Sequence, residues 1–277
     1  IQASKFGESV LVIERGHKVG GVSVHTGTIP SKTLRETALN LSGWRERGFY
    51  GRSYRVKQDL SADDLRERLD MTLDHEVEVL EHQFARNQVT TLRGEARFVD
   101  KSQIEVTGEE GELFAFEGKR ILLAVGTVPF RPETIPFDGQ TVFDSDEILE
   151  LNQLPKSLCV IGARVIGIEY ATIFSALDVH VTLVEPRDTM LDFIDRELID
   201  DFTHQLRDRG MVLRFGRKVS KVSKRKGGGC QVDMEDGRTI RSDIVLFAAG
   251  RMGATGPLNL PACGLDVDHR GRLAVDP

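Results

Sequence analysis

An α/β fold with two strand–helix–strand units is what this sequence of 277 residues predicts. Three observations carry the expectation. Leu158–Ile161 reads as a buried apolar strand, followed by the turn Gly162-Ala163-Arg164-Val165-Ile166-Gly167 and an apolar helix over Val165–Ala176. A second strand, His180–Val184, then ends in Glu185, 23 residues beyond Gly162. Finally, Val10–Ile13 followed by Glu14 repeats the pattern of Val181–Val184 followed by Glu185.

The spacing has a chemical reading. Glycines let a backbone turn approach a pyrophosphate at a helix N-terminus, and an acid about 20 residues on accepts a hydrogen bond from the adenosine ribose. Backbone N–H groups and the helix dipole supply the anion site. Strand, helix, strand and acid together make this a dinucleotide site of the Rossmann kind; the plainer alternative is a tight βα turn. The middle glycine is replaced by Arg164. That side chain either crowds the phosphate or contacts it directly, since guanidinium is a good phosphate partner. Glu185 favours a free ribose 2′-OH, as in NAD, whereas nearby Arg187 suits the 2′-phosphate of NADP. If Glu14 is also a ribose acid, its first glycine falls before Ile1, so the sequence is expected to begin inside a first nucleotide-binding unit.

The other elements follow from local signals. Ile1–Phe6 reads as a helix end closed by Gly7, and Gly20–Ile29 as a loop. Pro30-Ser31-Lys32 opens a helix, with Pro suited to a first turn. Ser61 and Asp64 form a capping pair for a long helix, whose Leu65, Leu69, Leu73, Val77, Leu80 and Phe84 make a core stripe. Short strands are expected at Val89–Leu92, Ala96–Val99, Gln103–Val106, Leu113–Phe116 and Arg120–Val125. Pro129, Pro132 and Pro136 mark a linker. A helix over Arg196–Arg209, a strand at Val212–Arg214 and a β meander reaching Ile244–Ala248 complete the reading.

Composition excludes several classes. The hydrophobic fraction is 40%, the charged fraction 29% and the net charge −6, with no basic face for nucleic acid. The basic run Lys218–Lys226 ends in three glycines and reads as a solvated hairpin. Cys159, Cys230 and Cys263 show neither disulfide nor zinc spacing, so no metal is expected. No apolar run approaches the ~18 residues of a membrane span, and no signal peptide is visible. Reduced thiols fit a cytoplasmic protein.

At Gly20-Gly21-Val22-Ser23-Val24-His25-Thr26-Gly27-Thr28-Ile29-Pro30-Ser31-Lys32 the sequence resembles the redox loop of the class I pyridine nucleotide–disulfide oxidoreductases, typically GGTCxNxGCIPSK. The likeness extends through Ala124-Val125-Gly126-Thr127-Val128-Pro129 and Ala248-Ala249-Gly250-Arg251. Both cysteines are changed, to Ser23 and Thr28. A dithiol relay needs two thiols, so disulfide-reductase chemistry is disfavoured. The sequence is most similar to the transhydrogenase branch of the family, which carries His and Thr at the positions of His25 and Thr28.

The resemblance implies two nested units: 1–143 a partial FAD domain, 144–265 an NAD(P) domain, and 266–277 a return to the first. It implies FAD as cofactor and NADPH and NAD as hydride donor and acceptor, in ping-pong fashion and without a thiol. Lys32, Glu169 and Thr28 fall at catalytic positions, with Lys32 beside the flavin and paired with Glu169. Glu14, Gly20, Gly21, Ser23, Gly126 and Thr127 fall on the FAD side. Gly162 to Gly167, Glu185, Arg187 and Gly250 fall on the nicotinamide side. His25 reads either as a hydrogen-bonding loop residue or as a flavin contact. The family continues beyond this C-terminus with a Gly-Asp motif and a dimerisation domain, so the parent protein is expected to be a homo-oligomer. Two other readings stay open: a non-catalytic nucleotide-binding fragment, and another thiol-independent NAD(P)H:acceptor oxidoreductase resembling dihydrolipoamide dehydrogenase.

Overall fold

A computed structural model describes residues 1–51 and 53–275. The chain falls into two compact units. One comprises Ile1–His25, Thr72–Val128 and Arg251–Pro277; the other comprises Thr26–Met71 and Pro129–Gly250. The crossing at Val128/Pro129 lies in the expected Pro-rich linker and ahead of residue 144, because the strand Val142–Asp144 joins the second unit's sheet. Residues 276 and 277 of the expected return segment lie outside the described residues.

The first unit opens with α1 (Gln2–Lys5), ended at Gly7 with φ +85°. β1 (Leu11–Glu14) follows, then α2 (Gly21–His25). β1 pairs in parallel with β2 (Thr90–Arg93), placing Leu11 opposite Thr90 and Glu14 opposite Arg93. β3 (Glu95–Phe98), β4 (Gln103–Thr107) and β5 (Leu113–Glu117) form an antiparallel meander. β6 (Thr127–Pro129) closes this stretch.

Two expectations are corrected here. Arg120–Val125 is not a strand: Ile121 and Leu123 pack on the core of Phe98, Leu258 and Leu260, while Leu122 stands 91% exposed. The side chains alternate as in a strand, but no neighbouring strand pairs with the segment among the described residues. The expected loop Gly20–Ile29 is largely helical, holding α2 and the start of the next helix. Gly20, at φ +123°, turns the chain into α2, and a Cβ there would lie 2.6 Å from the Val24 side chain.

The second unit contains α3 (Thr28–Leu41), α4 (Arg47–Tyr50) and the first part of α5 (Ala62–Arg86). The capping pair forms as the spacing predicts: the Asp64 N–H donates to Ser61 Oγ at 3.3 Å, and the Ser61 N–H to Asp64 Oδ2 at 3.0 Å. Then come β7 (Val142–Asp144), β8 (Ser157–Ile161), α6 (Val165–Ala176), β9 (His180–Val184), α7 (Arg196–Asp208) and β10 (Val212–Arg214). A meander of β11 (Val219–Lys224), β12 (Cys230–Met234) and β13 (Thr239–Ser242) leads to β14 (Ile244–Phe247). β15 (Arg251–Gly253) returns to the first unit and pairs with β6.

The five parallel strands run in the order β10-β9-β8-β14-β7. Both faces are covered, which explains the unbroken apolar run of β8. Leu158 and Val160 share a core with α3 and α6, whereas Cys159 and Ile161 share one with β11 and β12. A strand's period of two sends neighbouring side chains to opposite layers, here helices on one face and a meander on the other. Cys159 is therefore core, and burial pushes its thiol pKa up to about 12. The strand order reverses beside β8: β9 and β10 extend one way, while the chain returns to β14 on the other side. Such a switch point leaves a crevice at the carboxyl ends of the strands.

Gly167 fixes how closely α6 lies on the sheet. A Cβ there would fall 1.9 Å from the Gly162 carbonyl oxygen, which is backbone and cannot swing away. Gly167→Ala is expected to cost about 1–3 kcal/mol of stability. Gly227→Ala, with nothing within 4 Å of the new Cβ, should stay within about 0.5 kcal/mol of the parent. Urea denaturation of the two variants checks the contrast.

Candidate nucleotide-binding site

The turn after β8 sits at the switch point. The Gly162 N–H donates to the Val184 carbonyl at 2.8 Å, tying the turn to β9. Gly162 has φ +109°, and a Cβ would lie 2.7 Å from the Ala248 carbonyl oxygen at the end of β14. Only glycine fits both the conformation and the gap. Ala163 is fully buried, and its N–H donates to Glu185 Oε2 at 2.7 Å. Arg164 is the N-cap of α6 at φ −86°, a conformation that needs no glycine. Its side chain is exposed and makes no ion pair among the described residues. No side chain caps α6, and the first-turn N–H groups of a helix have no partner within the helix. Bare helix N–H groups beside a glycine turn form an anion site.

Glu185 follows β9 and is 3% exposed. Besides the Ala163 N–H, it accepts the Arg187 N–H at 3.2 Å and Arg187 Nε at 2.8 Å. Burial alone would raise its pKa, but the Arg187 guanidinium and the two backbone donors hold it below the ordinary value. Three hydrogen bonds on about four lone-pair positions leave room for one more donor, such as a ribose hydroxyl. Arg187 is not a free surface charge. Its Nη1 donates to Asp192 Oδ2 at 2.7 Å, and its two carboxylate partners raise its pKa, Glu185 most.

Lys32 on α3 and Glu169 on α6 form an ion pair. Lys32 is largely exposed and Glu169 mostly covered. Thr28 is the exposed first residue of α3, and Pro30 is buried in the same turn. All these residues, with Gly250, lie in the second unit.

The remaining predicted residues lie in the first unit. Glu14 ends β1; its Oε1 accepts the Gly16 N–H at 2.8 Å, and its other oxygen has no partner among the described residues. A half-buried acid with one free oxygen fits the ribose role. Gly20 and Gly21 lead into α2, on which Ser23 is exposed. His25 Nε2 hydrogen-bonds the Val19 carbonyl at 2.9 Å, so that nitrogen carries the proton. A Cβ on Gly126 would lie 3.2 Å from Val22. Thr127 is clamped by Arg251, whose Nε reaches Thr127 Oγ1 at 2.7 Å and whose Nη2 reaches its carbonyl at 2.9 Å. Sequence reasoning missed the Arg251 clamp and Asp192. The acid's position five residues beyond Arg187, in a loop, carried no recognisable spacing.

Residues 1–277 match the family described as pyridine nucleotide-disulphide oxidoreductase. The chain belongs to that family. It is 44% identical, over its whole length, to a soluble pyridine nucleotide transhydrogenase of Mycobacterium tuberculosis, of which it covers 59%. A protein of the same name from Colwellia psychrerythraea is 37% identical over 97% of this chain and 57% of that protein. The chain thus spans less than two thirds of the relatives it matches. Among solved structures, LpdA from Mycobacterium tuberculosis superposes with TM-score 0.89 at 24% identity, over 99% of this chain and 60% of that one. The flavoprotein disulfide reductase RclA from Escherichia coli gives 0.84 at 26%, over 99% and 58%. These likenesses establish the Rossmann-like flavoprotein fold.

Two outcomes are expected at this site. Deprotonated Glu185 favours the fold, because its folded pKa lies below the ordinary value of 4.5. Its contribution is complete above pH 4.5 and is lost as pH falls through the lower folded value. Denaturation midpoints between pH 7 and pH 3 should therefore decline less steeply for Glu185→Gln than for the parent, and equal slopes would contradict the assignment. Arg164→Gly should tighten binding of nicotinamide nucleotides by calorimetry; weaker binding would show the guanidinium to be a phosphate ligand.

Proposed function

We propose that this chain is the nucleotide-handling part of an FAD-dependent enzyme that moves hydride reversibly between NADPH and NAD, in ping-pong fashion and without a redox disulfide. One observation carries the reading. The redox loop keeps the family's form but has Ser23 and Thr28 in place of both thiols, while Lys32 in the same motif keeps a carboxylate partner in Glu169. Neither hydroxyl can form a disulfide or attack as a thiolate. The names of the transhydrogenase relatives point the same way.

Bound FAD supplies a two-electron carrier between one nicotinamide and the next. The protein supplies position and charge. The α6 N-terminus and the Gly162 turn hold the pyrophosphate of the nicotinamide nucleotide, and Glu185 accepts its adenosine ribose hydroxyl. Glu14, Gly20, Gly21, Ser23, Gly126 and Thr127 serve the FAD side. Glu169 holds the Lys32 ammonium in place, where a fixed cation favours negative charge on a neighbouring ring. Thr28 offers a hydroxyl that thiol oxidants leave unchanged. In functional terms 1–143 and 266–277 serve FAD and 144–265 serves NAD(P), within a cytoplasmic parent protein that is a homo-oligomer.

The visible spectrum of the purified chain supplied with FAD tests this reading. Flavin bands should bleach on adding NADPH and return on adding NAD, with no dithiol present. Lys32→Met should slow the bleaching roughly 100-fold. Bands indifferent to NADPH would overturn the reading.

A further inference from the structure

Arg187 has two roles in prospect and one guanidinium. Its Nε is held by Glu185 Oε1 at 2.8 Å and its Nη1 by Asp192 Oδ2 at 2.7 Å. Glu185, Arg187 and Asp192 together carry a net charge of −1 when all are ionised. That cluster adjoins the glycine turn, because the Ala163 N–H donates to Glu185 Oε2. Arg217 also adjoins the cluster, its N–H donating to the Glu185 carbonyl, but its guanidinium pairs with Asp236 at 3.3 Å.

The loop holds Asp192 in place by a strained device. Met190 is wholly buried and anchors the loop. Leu191 next to it has φ +48°, in the left-handed region that a branched side chain rarely adopts. The Ile194 N–H donates to the Leu191 carbonyl at 2.9 Å, closing a turn with Asp192 at its apex. Such strain persists only where the surroundings over-determine it. Here its effect is to place Asp192 on the outer arm of Arg187.

We propose that Asp192 sets the choice between nicotinamide nucleotides with and without a 2′-phosphate, by competing with that phosphate for the outer arm of Arg187. The inference rests on the reading that the Glu185 turn receives the adenosine ribose. A nucleotide with a free 2′-OH leaves the Arg187–Asp192 pair intact and donates its hydroxyl to Glu185. A 2′-phosphate brings negative charge against a cluster already negative, and gains Arg187 only by displacing Asp192. No bond is made or broken; one ion pair exchanges for another. Asp192 is 47% exposed, so the displaced carboxylate passes into water. A site that must take NADPH and release NADP in alternation with NAD gains from such a partner, because the phosphate contact never becomes tight enough to trap one nucleotide.

The test is calorimetric titration of the purified chain with NADP and with NAD, for the parent, Asp192→Asn and the double variant Asp192→Asn/Arg187→Gln. The single variant should bind NADP about tenfold more tightly, the worth of one charge-assisted pair, while NAD changes less than about twofold. The double variant should lose the gain. Adding 2′,5′-ADP and 5′-AMP as probes should reproduce the same selectivity without the nicotinamide. Equal changes for both nucleotides, or none, would overturn the role of Asp192 while leaving the binding site standing. Failure of every nucleotide to bind parent and variant alike would overturn the underlying site and this inference with it.

Discussion

The second unit turns on one buried hydrogen bond, from the Ala163 N–H to the carboxylate of Glu185. It joins the glycine turn after β8 to the end of β9, so two strands become a single platform. The carboxylate stays charged although buried, because two backbone N–H groups and Arg187 surround it. A buried carboxylate without such partners would take up a proton instead. Beside that bond, Gly162 lies close against Ala248, and no side chain caps the first turn of α6. Stability and site geometry thus share one group.

Around that platform the layers follow from strand periodicity. β8 sends Leu158 and Val160 to the helices and Cys159 and Ile161 to the meander, and both layers must be present to cover it. α3 enters the helical layer through Leu34 and Ala38. That packing brings Lys32 to Glu169, although 137 positions separate them in the sequence. A charge pair bridging two packed helices is a direct consequence of how α3 docks on α6.

Much of this was legible in the sequence because the signals were local and mutually consistent. Strand, glycine turn, helix, strand and acid each constrain the next, and α6 runs over the residues its pattern implied. Ser61 and Asp64 announced α5 because a capping pair is a contact between near neighbours. The misses had the opposite character. Arg120–Val125 has the alternation of a strand, but a strand exists only with a neighbour to pair with, and alternation says nothing of the neighbour. Gly20–Ile29 looked like a loop by composition, yet Val24 packs where a Gly20 side chain would be and the chain coils into α2. Asp192 escaped notice because its meaning depends on a turn through Leu191 that no residue preference would suggest. Arg187 could be read as a ligand residue or as a surface charge, and the structure gives it a third character, a cation already shared by two carboxylates.

The central claim is that nicotinamide nucleotides seat on the turn joining β8 to α6, with Glu185 at the ribose end. Backbone amide NMR of the chain during titration with NADP tests it most directly. The account predicts that the largest shifts fall on the amides of Ala163 through Gly167 and on Arg187. Shifts confined to residues Ile1–His25, or scattered with no focus on that turn, would contradict it.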